Sequence, residues 1–150
     1  MADYNSGAAT NREDLRWGAH AGVASVRVWD WESGVAAAAR QAKIAREQGS
    51  LITLPIALNV QAEVLCLGGD LRSAALLAAE ADVVTQVTGS QVVAAGSLSL
   101  AGFRGREDEA RQLTEATISQ ATAAGLGRAV QYARWATAML CTALASTSGR

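Results

Sequence analysis

The side chains that usually perform chemistry are scarce in this chain. One histidine, His20, and two cysteines, Cys66 and Cys141, occur in 150 residues. A single histidine excludes a His-based metal cluster, and two distant cysteines cannot form a zinc site or a disulfide framework. Both cysteines lie in apolar stretches, so we expect two reduced thiols in the core of a cytoplasmic protein. We expect no enzymatic activity, no metal and no cofactor.

Long apolar runs and a strong net charge are also missing. The polar first residues argue against a secretory signal, and every apolar stretch is interrupted before the roughly 20 residues that span a membrane. The formal net charge is −1, so no basic field is available for nucleic acid. A basic strip at Arg40, Lys43 and Arg46 is predicted to be a solvated face. We therefore expect no membrane binding and no direct DNA binding.

Helical signals fill most of the chain. Residues 1–10 lack periodicity and are predicted to be a disordered tail before a single domain at 11–150. In that domain, glycines separate segments whose apolar residues recur every three or four positions. Asp70 is a good N-cap, and Gly89 and Gly125 stand at helix ends, where we expect the left-handed conformation. The pattern predicts an all-α fold of about seven helices, at residues 12–28, 31–48, 53–67, 71–88, 90–103, 106–124 and 127–145.

An internal repeat relates these helices. Residues 70–89 align with residues 106–125, 36 positions later, and Gly49 precedes Gly89 by 40 positions. Such spacings are typical of helix–turn–helix repeats, such as tetratricopeptide arrays with about 34 residues per repeat. One hairpin cannot bury its own apolar face, so neighbours must stack. We expect stacked antiparallel helical hairpins in a tetratricopeptide-like array; an irregular helical bundle with accidental similarity is the alternative.

Three segments carry a family resemblance: LPIALN at 54–59, the turn at 104–107 and WATAML at 135–140. With their surroundings, over residues 12–146, they resemble the helical-repeat region of large LuxR-type, ATP-binding transcriptional regulators of actinobacteria. In that family the repeats follow a nucleotide-binding domain and precede a C-terminal helix-turn-helix. The sequence contains neither a phosphate-binding loop nor a DNA-reading helix, so no residue here is assigned the ATP or DNA function.

The resemblance implies a non-catalytic interaction or signal-sensing module. Its partners would be other domains of the regulator, another protein or a small effector. The final Ser148-Gly149-Arg150 is similar to the turn at Gly105-Arg106, where a new helix is predicted to begin. We therefore expect the chain to be a fragment of a longer regulator. A stand-alone helical adaptor or oligomerisation protein is the alternative.

The last predicted helix contains the candidate binding surface. Tyr, Trp and Arg are enriched at binding hot spots, and we predict that Arg128, Tyr132 and Trp135 line a groove. Packing between hairpins is the alternative for these aromatic residues. The same helix has an apolar side that includes Ala129 and Ala136. An exposed side of this kind predicts a homo-oligomer formed through the C-terminal helix.

Overall fold

The computed structural model describes residue 24 and residues 30–90, 92–123 and 125–148. These residues form helices and no strand, which confirms the all-α prediction. Of the first predicted helix only Ala24 is described, and it is helical, whereas the predicted tail at 1–10 lies outside the described residues. No helix of the described part is both long and apolar enough to cross a membrane. The helices are α1 (Trp31–Glu47), α2 (Thr53–Leu67), α3 (Leu71–Thr88), α4 (Ala95–Phe103), α5 (Glu107–Ala123) and α6 (Gly127–Ser148).

The same cap begins α1 and α3. The Asp30 carboxylate accepts a hydrogen bond from the backbone N–H of Ser33 at 3.2 Å. Forty positions later, Asp70 accepts one from the backbone N–H of Ser73 at 3.0 Å. Each bond satisfies a backbone donor that the first helical turn leaves unpaired. The two helices therefore start in the same way.

Glycines end α3 and α5 as predicted. Gly89 has a φ of 64° and Gly125 a φ of 68°, so both are left-handed. A side chain in this conformation would bring its Cβ too close to the following carbonyl oxygen. Glycine is therefore the residue that lets the chain turn here, and the predicted left-handed conformation is confirmed at both positions.

The start of α4 differs from the prediction. A helix over residues 90–103 is predicted, but α4 begins at Ala95, after a non-helical segment at residues 92–94. The backbone N–H of Gly96 donates to Asn59 Oδ1 on α2 at 2.9 Å. A Cβ at Gly96 would lie 2.7 Å from the Cβ of Ala62. α4 thus begins where its backbone lies directly against α2, and the residues before it form the connection.

Among the described helices, the contacts between helices that are not consecutive in the chain involve α2, α4 and α6. Each helix contacts its neighbours in the chain, and α2 also contacts α4, which contacts α6. No comparable backbone contact joins α1 to α3 or α3 to α5. Small side chains dominate the buried contacts, which lets helix axes approach closely. The two main clusters are Ala42, Ala45, Leu54, Ala57, Leu58 and Ala81, and Ala62, Cys66, Ala74 and Ala78.

The faces of α6 differ in part from the prediction. Both cysteines are free thiols; Cys66 is buried as predicted, but Cys141 is exposed. Ala129 and Ala136, on the side of α6 predicted to mediate self-association, are buried within the chain itself. The helix that contains them packs against α4 and α5. Cys141 lies off this buried face, so its apolar surroundings in the sequence do not place it in the core.

Candidate functional site

The predicted groove residues occupy different environments on α6. The rings of Tyr132 and Trp135 are in contact, with centroids 5.4 Å apart and planes tilted by 48°. Trp135 is 39% exposed, whereas Tyr132 is partly buried. The side chain of Arg128 lies outside the described residues. The structure thus brings two of the three predicted residues together, and of these two Trp135 has the exposed ring.

The hydroxyl of Tyr132 joins α6 to α4. It shares a hydrogen bond of 2.7 Å with the hydroxyl of Ser99, and it donates to the carbonyl oxygen of Ala95 at 3.3 Å. Burial raises the pKa of Tyr132 well above its usual value of 10, and the nearby Glu63 carboxylate on α2 raises this pKa further. The hydroxyl is therefore neutral and already paired. This contact favours the packing alternative for Tyr132.

Cys66 interacts with the same group of side chains. Burial raises the pKa of its thiol from 9.0 to about 11; the charge of Arg104 opposes this shift and that of Glu63 adds to it. At neutral pH the side chain is a thiol and not the thiolate that a nucleophile or a metal ligand requires. In the described part of the chain, no group of His, Cys, Asp and Glu is placed to hold a metal ion.

An open furrow lies between α3 and α5, away from the predicted site. Its volume is about 370 Å³, which is within the range of small-ligand pockets. α3 and α5 supply its walls, and the segment at 92–94 and the start of α6 border it. Among the residues whose side chains the structure describes, the lining is uncharged: it consists of Thr85, Gln86, Gly89, Ser90, Val92, Val93, Ala94, Leu113, Ala116, Thr117, Gln120, Ala121, Leu126 and Ala129.

An ion pair bridges α1 and α3. There the Arg46 guanidinium binds the Glu80 carboxylate through two hydrogen bonds, of 2.7 and 3.2 Å. Arg46 stands three residues before Gly49, and Glu80 stands nine residues before Gly89. Counted back in the same way from Gly89 and Gly125, the corresponding positions are Gln86 and Ala116, on opposite walls of the open furrow. The furrow between α3 and α5 therefore lacks the ion pair that joins the preceding helices.

The open furrow offers hydrogen-bonding groups on both walls. Gln86 lies on the α3 wall and Gln120 on the α5 wall. A glutamine amide both donates and accepts hydrogen bonds. Val92, Val93 and Leu113 add apolar contact area. The two walls can therefore contact both polar and apolar groups of a ligand.

The amino-acid sequence does not reveal this furrow, because its residues form no chemical motif. Threonine, glutamine, alanine and valine are ordinary residues of a helix surface, and only their pairing across two helices is informative. One comparison within the sequence could have indicated it. At matching distances from the glycines that follow the helices, Arg46 and Glu80 carry opposite charges, whereas Gln86 and Ala116 are uncharged. That comparison requires knowing which helix positions face one another.

The outward face of α3 is a second surface that the sequence did not single out. Leu76, Val83 and Val87 lie on one side of this helix and are 69%, 59% and 80% exposed. Their equivalents are mostly polar or small, namely Ala36, Lys43 and Glu47 in α1 and Gln112, Ser119 and Ala123 in α5. The middle helix therefore differs from both of its counterparts in presenting an apolar stripe.

Comparison of the chain with models of protein families, with curated proteins and with solved structures finds no match in any of the three.

Proposed function

We propose that the chain is a non-catalytic helical-repeat module that binds its ligand in the furrow between α3 and α5. The observation that supports this most directly is the missing ion pair. Arg46 and Glu80 bridge α1 and α3, whereas Gln86 and Ala116 leave the furrow between α3 and α5 open. A repeat protein with a purely structural role has no need to differ between equivalent pairs of helices.

The proposed architecture is a tetratricopeptide-like array of stacked antiparallel hairpins, formed by α1–α2, α3–α4 and α5–α6. It is supported by the equivalent caps at Asp30 and Asp70 and by the contacts of α2 with α4 and of α4 with α6. In such an array each unit contacts its neighbours, and the first helices of successive units line one surface. The furrow lies between two of these first helices.

We propose further that the module belongs to a cytoplasmic LuxR-type transcriptional regulator, where it senses a signal or contacts another domain. The support is the resemblance at residues 54–59, 104–107 and 135–140. A stand-alone adaptor is the alternative. A transcript that encodes the chain in frame with an upstream nucleotide-binding domain supports the regulator; a transcript that encodes the chain alone supports the adaptor.

The binding site is tested by filling the furrow. In the double variant Gln86→Arg, Ala116→Glu, two larger side chains occupy the furrow and restore the ion pair of the preceding unit. A mixed library of small molecules and capped peptides is screened by amide chemical shifts of the isotope-labelled chain. We expect ligand-induced shifts to cluster at the furrow residues of the wild type and to disappear in the double variant.

A matched control places the same charges elsewhere. The variant Gln112→Arg, Ser119→Glu changes two exposed positions of α5 that do not line the furrow, and we expect it to bind like the wild type. A screen without any ligand for the furrow, or with shifts that persist in the filled variant, would refute the proposed site. Thermal unfolding of all three proteins shows whether each variant is folded.

A further inference from the structure

We propose that the hairpin α5–α6 is a separate opening unit, which completes the furrow when it docks on α4 and is held there by the hydroxyl of Tyr132. Its role in assembling the binding site rests on the proposed function, whereas the opening itself is measured without a ligand. Three features support it: the helices that α5 and α6 contact, the hydrogen bonds around α4, and the small side chains at the boundary.

The hairpin adjoins the rest of the described chain through α4. Among the described helices, α5 and α6 pack against each other and against α4, and neither comes into close backbone contact with α1, α2 or α3. The Thr137 hydroxyl on α6 donates to the Thr114 hydroxyl on α5 at 3.1 Å, which joins the two helices of the hairpin. α5 supplies one wall of the furrow. The furrow is therefore complete only while the hairpin lies on α4.

Hydrogen bonds attach α4 to α2 and α3 along its whole length. The Asn59 side chain on α2 accepts from the backbone at the start of α4 at 2.9 Å. The Ser97 hydroxyl on α4 donates to the Asp82 carboxylate on α3 at 3.1 Å. Just after the end of α4, the Arg104 guanidinium donates to the carbonyl oxygen of Leu71 at 3.3 Å. α4 is therefore held on α2 and α3 at several separate points.

Towards the hairpin, the hydrogen bonds of α4 converge on one atom. Both described hydrogen bonds between α4 and α6 use the Tyr132 hydroxyl, which pairs with the Ser99 hydroxyl at 2.7 Å and donates to the carbonyl oxygen of Ala95 at 3.3 Å. The Glu63 carboxylate on α2 also lies close to this hydroxyl. Removing a single oxygen atom therefore removes polar contacts of the hairpin with both α4 and α2.

Small side chains line the boundary between α4 and the hairpin. Ala101 of α4 packs against Ala110 of α5, and Gly102 of α4 lies beside the main chain of Ala136 on α6. Alanine and glycine bury less apolar surface than a leucine does, such as Leu58 of α2, which is fully buried between α1 and α3. Segments with less apolar burial open at lower free energy, so the hairpin is expected to open before α1–α4 does.

Hydrogen exchange of the ligand-free chain under native conditions tests the separate unit. We expect the slowest amides of α5 and α6 to exchange at least about tenfold faster than the slowest amides of α1 and α2, because opening of the hairpin alone exposes only the former. If the slowest amides of both parts exchange at the same rate, the chain opens as one cooperative structure and the proposal is wrong.

Two variants, compared at equal protein concentration, locate the contact that holds the hairpin. Tyr132→Phe removes only the hydroxyl, and we expect exchange to become about fivefold faster in both parts, since hairpin opening and complete unfolding both break this contact. Ala45→Gly weakens α1, far from the boundary, and should speed exchange about fivefold in α1 and α2 alone. Unchanged hairpin exchange in Tyr132→Phe, or faster hairpin exchange in Ala45→Gly, would contradict the proposal.

The results also distinguish the opening unit from the binding site. If the two parts exchange separately as predicted but no ligand for the furrow is found, the opening unit stands and the proposed function is wrong. If a ligand binds in the furrow of a chain that exchanges uniformly, the site stands and the opening unit is wrong. Separate exchange, together with a furrow ligand that slows exchange in α5 and α6, supports both.

Discussion

At the scale of single residues, one glycine and one asparagine determine how α2 and α4 meet. Asn59 is buried and uses both ends of its amide: Nδ2 donates to the carbonyl oxygen of Pro55 at 2.8 Å, and Oδ1 accepts from Gly96. A buried amide that is satisfied in this way specifies one arrangement of its neighbours. Gly96 completes the contact because it has no side chain to hold Ala62 away.

We predict that Gly96→Ala destabilises the fold although alanine favours helices. The new Cβ would lie 2.7 Å from the Cβ of Ala62, and relieving this overlap outweighs the helix preference, for a net loss of roughly 1–2 kcal/mol in the free energy of unfolding. Gly102→Ala in the same helix is the control, since its nearest atom would be 3.8 Å away. Urea unfolding measures both. A Gly96→Ala protein as stable as Gly102→Ala would show that the α2–α4 contact is looser than described.

At the scale of helices, local signals determine some boundaries and neighbouring helices determine others. α2 and α3 have the predicted bounds because Asp70 and the flanking glycines act within their own stretch of chain. The start of α4 could not be predicted, because the Asn59 and Ala62 side chains that define it belong to α2. The furrow could not be predicted for a similar reason, since Gln86 and Ala116 acquire meaning only when their helices are adjacent.

The end of α3 provides a test at this scale. We predict that Gly89→Val lowers the free energy of unfolding by roughly 1–2 kcal/mol, because valine opposes a φ of 64° although the space around the residue is open. Gly127→Val is the control, since Gly127 begins α6 without a positive φ and also has open space for a Cβ. Chemical denaturation compares the two variants. Equal stabilities would mean that α3 does not require its left-handed end.

At the scale of the whole molecule, apolar side chains face solvent in several places among the described residues. One such surface is the α3 stripe of Leu76, Val83 and Val87, and another is the exposed ring of Trp135 on α6. Sequence analysis predicted the second surface in part, since Ala129 and Ala136 proved to be internal while Trp135 remains exposed. It did not predict the first, because an exposed apolar stripe and a buried one have the same helical spacing.

We predict that the chain self-associates through α6, as a two-fold pair. Light scattering at micromolar concentration should give the mass of a dimer for the wild type, because an exposed tryptophan favours a partner surface of the same kind. Trp135→Ser should give a monomer, and Leu76→Ser on the α3 stripe should remain dimeric. A monomeric wild type refutes self-association, and a dimer that is lost with Leu76→Ser instead places the interface on α3.

The contrast between Arg46–Glu80 and Gln86–Ala116 also has a mechanical consequence. An exposed ion pair of this kind contributes about 0.2–1 kcal/mol, which is comparable to the thermal energy. Separating α1 from α3 therefore costs more free energy than separating α3 from α5 by about this amount. Bending of the molecule should therefore concentrate between α3 and α5, with the contact of α4 and α6 as the hinge line and α5 and α6 moving together. A ligand bound between α3 and α5 would fix the orientation of α5 and α6 relative to α3. A small local contact would then displace the far end of α6.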